Sequence, residues 1–151
     1  MTTEKELLKE KIISFQKQIG ELRLEITEKE FECKEREKAI FSGLFDIADA
    51  LGNLQSNLEA RKDDLDKTGK KLSKNIRTIH RKLLRHLESY SIIPISFPDN
   101  KAIMENCKII ETQKQPDLEN ETIVEIVKNG YINGQDGLVV RKAEVITVLN
   151  D

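Results

Sequence analysis

The stretch LKEKIISFQKQIGELRLEI, residues 8–26, decides the reading of this chain. Its apolar residues Leu8, Ile12, Phe15, Ile19, Leu22 and Ile26 recur at spacings of 4, 3, 4, 3 and 4. That period of about 3.5 draws helices into a left-handed coiled coil. So narrow a stripe cannot be buried by a helix on its own, and a second copy is expected against it. Glu and Lys flank the stripe and no proline interrupts it, so one helix running from residue 2 to about residue 58 is predicted. Continuing the register puts Lys29, Cys33 and Arg36 on the seam before Ile40 restores it. The zipper should fray first at those three positions.

Beyond residue 39 the pattern broadens. Ile40, Phe41, Leu44, Phe45, Ile47, Ala48, Leu51, Leu54 and Leu58 cover a face wide enough for a bundle. The charged run at 59–69 reads as a connection, with Asp66 or Thr68 capping the next helix. That second helix carries Leu72, Ile76, Ile79, Leu83, Leu84, Leu87 and Tyr90, and ends before Ser91. Two such helices leave apolar faces open, and two copies close them. The predicted assembly is a parallel homodimer whose coiled coil runs into a four-helix bundle, with Ile40, Leu44, Ile47, Leu51 and Leu54 extending the dimer seam begun by Leu8.

From Pro94 onward the composition changes, with all three prolines and β-branched runs between them. Strands are expected at 106–111, 122–127, 137–141 and 143–149, with turns at Gln115-Pro116-Asp117, across residues 130–134 and at Lys142. The fold class is therefore α+β, in three segments: a coiled-coil helix at 1–39, a bundle segment at 40–91 and a small β domain at 92–151.

The 151 residues are 34% charged and 5% aromatic, with a net charge of −2. The charge is uneven. Residues 1–60 carry 13 acids and 9 bases (−4), 61–85 carry 3 and 10 (+7), and 86–151 carry 11 and 6 (−5). Cys33 and Cys107 are too far apart in sequence to read as a CxxC site or a disulfide framework. The opening MTTEKELLKE has charges where a signal peptide needs apolar residues, and no run approaches the ~20 apolar residues of a membrane span. A soluble, cytoplasmic protein in a reducing compartment is expected.

No catalytic constellation stands out, so no enzyme, metal or cofactor is expected. His80 and His86 are six positions apart and do not share one helix face as metal-binding i, i+4 histidines do. Both read as surface or boundary residues. Gly130, Gly134 and Gly137 lack phosphate-loop spacing and read as hairpin glycines. The basic run from Arg61 to Arg85 lacks interleaved aromatics. It reads as solvated, or paired with the acids of the preceding helix, rather than as a nucleic-acid surface. Phe97, between Ser96 and Pro98, stands where a partner could meet it.

Several segments resemble the GrpE family, nucleotide-exchange factors of DnaK-type seventy-kilodalton heat-shock chaperones. LFDIADAL at 44–51 is similar to the family's LLPVxDNL, with Asp49 on its aspartate. TIVEIVKNGY at 122–131 is similar to VxxVxxxGY, and VRKAEV at 140–145 to LRPAxV. The chain departs from the family at Phe97-Pro98-Asp99, which stands for FDPxxHxA, and at Ser91, where glycine is usual. It departs again at Leu138, in place of a basic residue, and at FECKE, residues 31–35, in place of NxxRR. The resemblance implies a homodimer that binds one DnaK-type chaperone and opens its nucleotide cleft so that ADP leaves. The contacts it implies fall on Asn53, Asn75, Phe97, Val127, Leu138, Arg141 and Thr147. Two other readings stay open: a dimeric coiled-coil adaptor without exchange activity, and a nucleic-acid-binding bundle built on the basic run.

Overall fold

A computed structural model describes residues 3–151. The chain divides into two compact units, Met1–Phe41 and Ser42–Asp151, and one helix, α1 (Glu4–Ala60), contributes to both. A reciprocal box starts α1: the Glu6 carboxylate accepts from the Thr3 amide at 2.9 Å, and the Thr3 hydroxyl accepts from the Glu6 amide at 3.4 Å.

In the first unit the stripe from Leu8 to Ile26 lies open, each of its six residues being 48–61% exposed. Lys29, a charged seam position, pairs with Glu32 at 2.9 Å on the surface.

In the second unit the broad apolar face of α1 separates into two faces. Phe45 and Ala48 are buried within the chain, whereas Ile47 and Leu54 are exposed and Leu44 and Leu51 half-buried. One face thus builds this chain's core, and the other, with Ile47 and Leu54 exposed, continues the heptad seam.

A short 3-10 turn (Lys62–Asp64) leads into α2 (Lys67–Ser89). The Asp66 carboxylate caps α2 by accepting from the Gly69 amide at 2.7 Å. The helix therefore starts inside the charged run that looks, in sequence, like a connection. It ends with the Tyr90 and Ser91 amides donating to the Leu87 and Glu88 carbonyls, and Ser91 takes a left-handed φ of 63°. Glycine adopts that conformation without a Cβ penalty, and serine does not.

Among the described residues six strands follow: β1 (Ile92–Pro94), β2 (Cys107–Gln113), β3 (Ile123–Lys128), β4 (Tyr131–Asn133), β5 (Val139–Arg141) and β6 (Ala143–Val148). They form two three-stranded sheets in the orders β1-β4-β5 and β2-β6-β3. Every pairing is antiparallel except that of β2 with β6.

The strands depart from the sequence expectation in three places, the first being β1 (Ile92–Pro94), where no strand is expected. Where a turn is expected across 130–134, Tyr131–Asn133 pairs with both β1 and β5. The expected strand at 137–141 starts only at Val139, because Gly137 is in the left-handed region at φ 72° and belongs to the turn.

Gly130 is required by close approach. A Cβ there would come within 2.5 Å of the Ala143 amide nitrogen and 2.7 Å of Ile95 Cδ1. The core of the second sheet gathers Cys107, Ala143 and Val145, with Phe97, Ala102, Ile109 and Ile123 packed around them.

Candidate functional site

Arg141, the last residue of β5, organises the face where α1 meets the β strands. Phe45 of α1 and Tyr131 of β4 stack with ring centroids 4.1 Å apart and planes 5° from parallel. The Arg141 guanidinium sits 5.1 Å from the Phe45 centroid and 5.3 Å from that of Tyr131, within cation–π range of both. Its Nη2 donates to Asp49 Oδ1 at 3.0 Å and lies 2.8 Å from Oδ2. The buried Oδ2 is attracted by charge without receiving a directed hydrogen bond of its own. Nε and Nη2 also donate to the Asn129 carbonyl at 3.1 and 2.6 Å, and Nη1 is 3.7 Å from the more exposed Asp46. The Arg141 and Asp49 side chains are only 21% and 13% exposed. Burial, reinforced by the Asp49 charge and opposed by Arg141, raises the Tyr131 phenol above its ordinary value.

Beside this cluster opens a polar cleft of about 320 Å³, where Asp49, Asn53 and Ser56 of α1 face His80 of α2 and Val127 and Asn129 of the β3 segment. His80 Nδ1 lies 3.2 Å from Gln55 Oε1. In sequence His80 has the look of a surface or boundary residue. It is a half-buried wall of this cleft, and only the packing of α2 on α1 reveals that.

The seven expected contact residues divide. Asn53 and Val127 line the cleft together. Asn75 is exposed on α2 and does not line it. Leu138 is 67% exposed in the β4–β5 turn, where its amide donates to Asp136 Oδ1. Phe97 is half-buried and packs on the core of the second sheet, so most of its ring is structural. Arg141 is engaged within the chain. Thr147 is a correction: at 1% exposure it lies buried in β6, the central strand, and has no surface to offer a partner.

The basic run is mostly solvated, and two of its cations pair with α1. Among the described residues only Lys62 and Arg77 of that run form ion pairs, both with Glu59. Among those residues no helix is long and apolar enough to cross a membrane.

The comparisons agree with this architecture. No individual curated protein matches the chain. A family model does, over residues 1–148, nearly the whole length, and its family is GrpE. The long helix, the short second helix and the β strands, with Gly130-Tyr131 at the start of β4 and Arg141 at the end of β5, are thus the parts of a GrpE chain: this protein belongs to the GrpE family of nucleotide-exchange co-chaperones.

Proposed function

We propose that this protein acts in the cytoplasm as a homodimer that binds the nucleotide-binding domain of a DnaK-type seventy-kilodalton chaperone and promotes ADP release. Membership of the family supports an exchange role. The observation that carries the finer reading is the cleft, because it gathers Asn53 and Val127 from α1 and β3 onto one accessible surface. The open seam from Leu8 to Leu54 supports the dimer.

Exchange of this kind asks for no chemistry from the factor. It asks that the factor bind the open, nucleotide-free chaperone more tightly than the closed one, and bound nucleotide then weakens the factor by the same ratio. The Phe45–Tyr131–Arg141 cluster would keep the β strands fixed against α1, so that binding energy goes into opening the chaperone and not into bending the factor.

The test is stopped-flow release of a fluorescent ADP analogue from a DnaK-type chaperone. Acceleration by the wild-type protein, reduced at least about tenfold by Asn53→Ala combined with Val127→Glu, is expected. No acceleration despite demonstrated binding would replace this reading by that of an adaptor. The exposed Leu138, standing where the family carries a basic residue, is the feature that favours that alternative.

A further inference from the structure

The helix α2 sorts its side chains by charge. At about 100° per residue, its eight Lys and Arg, from Lys67 to Arg85, fall within an arc of roughly 140°. The buried Ile76 and Leu87 lie on the opposite side. All eight cations are exposed, and only Arg77 among them has an ion-pair partner within the described residues.

At the start of this face, where α1 turns into α2, there is a cleft of about 300 Å³. Lys62, Lys70, Lys74 and Arg77 rim it around the single carboxylate of Glu59, four cations against one anion, a net of +3. Leu65 and Ser73 complete its lining.

Like charges at i, i+3 and i, i+4 destabilise a helix. Solubility alone does not call for them, since α1 intersperses Glu with Lys on its exposed faces, as at Lys29 and Glu32. Among the described residues this chain relieves the repulsion along α2 only at Arg77, through Glu59, and an anionic ligand would relieve the rest.

We propose that this face and its cleft dock an acidic polypeptide segment, a binding site separate from the exchange surface and independent of the exchange reading. The face runs for about 27 Å from Lys67 to Arg85, the reach of about eight extended residues. The cleft suits a carboxylate side chain, with Lys70 and Lys74 free of ion pairs to receive it. Nucleic acid fits less well. No Phe, Tyr or Trp stands within the basic arc to stack on bases.

The experiment is fluorescence anisotropy of a labelled peptide of about ten residues, mostly Asp and Glu, titrated with the full chain at about 50 mM and about 200 mM salt. Saturable binding that weakens with salt is expected. Lys70→Glu/Lys74→Glu/Arg81→Glu should weaken it at least about tenfold, and Lys114→Glu, outside α2, should leave it unchanged. Circular dichroism verifies that the triple variant keeps its helix, and the matching Gln variants give a graded loss should it not. Absence of saturable binding at the lower salt, or equal binding by the reversed variant, overturns the proposal. Displacement of the peptide by a DNA duplex of matched charge overturns the acidic-peptide occupant in favour of nucleic acid.

Discussion

Asp49 and Arg141 lie 92 positions apart in sequence, and the guanidinium nitrogen Nη2 of one is 2.8 Å from the carboxylate Oδ2 of the other. The pair joins the C-terminal part of a long helix to the end of a three-residue strand, and it is mostly shielded from water. Such a pair is costly to break from one side, because the surviving charge keeps its desolvation penalty and loses its partner. Arg141→Ala also strips the cation from beside the Phe45–Tyr131 stack. We expect it to destabilise the second unit by about 3 kcal/mol, seen as a fall of roughly 6–12 °C in melting temperature. The double variant Asp49→Leu/Arg141→Met should cost less than Arg141→Ala alone; an equal or larger loss would show that the pair is net stabilising.

Alkaline pH should weaken the same region through Tyr131. Its phenol is raised above the ordinary value of 10.0, first by burial and then by the Asp49 charge. Below about pH 10 the folded and unfolded forms both keep the proton, and the contribution is flat. Above it the unfolded chain gives up its proton first, so stability falls until the higher folded value is passed. Urea unfolding at about pH 9 and about pH 11 should show the loss, and Tyr131→Phe, which keeps the stacked ring, should remove this share of it.

Ser91 offers a gain in stability. It occupies a φ of 63° at the end of α2 while its carbonyl accepts from the Gly134 amide at 2.7 Å. Ser91→Gly relieves the Cβ clash without touching that backbone bond. We expect a stabilisation of about 1 kcal/mol by chemical denaturation; a loss would mean that the serine side chain makes up for its strained backbone.

Heat should act first on the first unit. Lys29, Cys33 and Arg36 interrupt a seam that is apolar on both sides of them, and in a dimer Lys29 and Arg36 would bury charge where Leu and Ile do well. Lys29→Leu/Arg36→Leu should raise the earliest helical transition in circular dichroism by roughly 5 °C or more. An unchanged first transition would place the weak point elsewhere.

Much of the architecture is legible in the sequence because it is periodic. Leu8 to Ile26 announce α1, the 3.6-residue pattern from Leu72 to Leu87 announces α2, and the β-branched runs around Gly130 announce β3 and β6. Short strands escape for a physical reason. Tyr131–Asn133 is flanked by glycines and too short to alternate, and only its pairing with β1 and β5 makes it a strand. Thr147 misleads because β6 is covered on both faces, so a polar residue within it marks the core and not the surface. Arg141 stands out in sequence, but a lone arginine does not say whether its carboxylate lies on a partner or, as here, on α1 of the same chain. The cleft joining Asn53, His80 and Val127 has no sequence signature, since its walls are brought together only by the packing of three separate elements.

The position of β6 bears on how the β region comes into being. It lies between β2 and β3 although both precede it in the chain, and β2 meets it in parallel. During synthesis β2 and β3 would therefore emerge with no neighbour to bond to, and both would wait for Ala143–Val148 before a sheet could exist. Pairing across such sequence distances closes slowly, whereas α1 can wind as soon as it clears the ribosome. A newborn chain should thus pass through an interval in which its helices are formed and its β strands are bare edges, open to association with other chains. Substitutions that slow the docking of β6 would then lower yield in the cell well before they lower the stability of the finished protein.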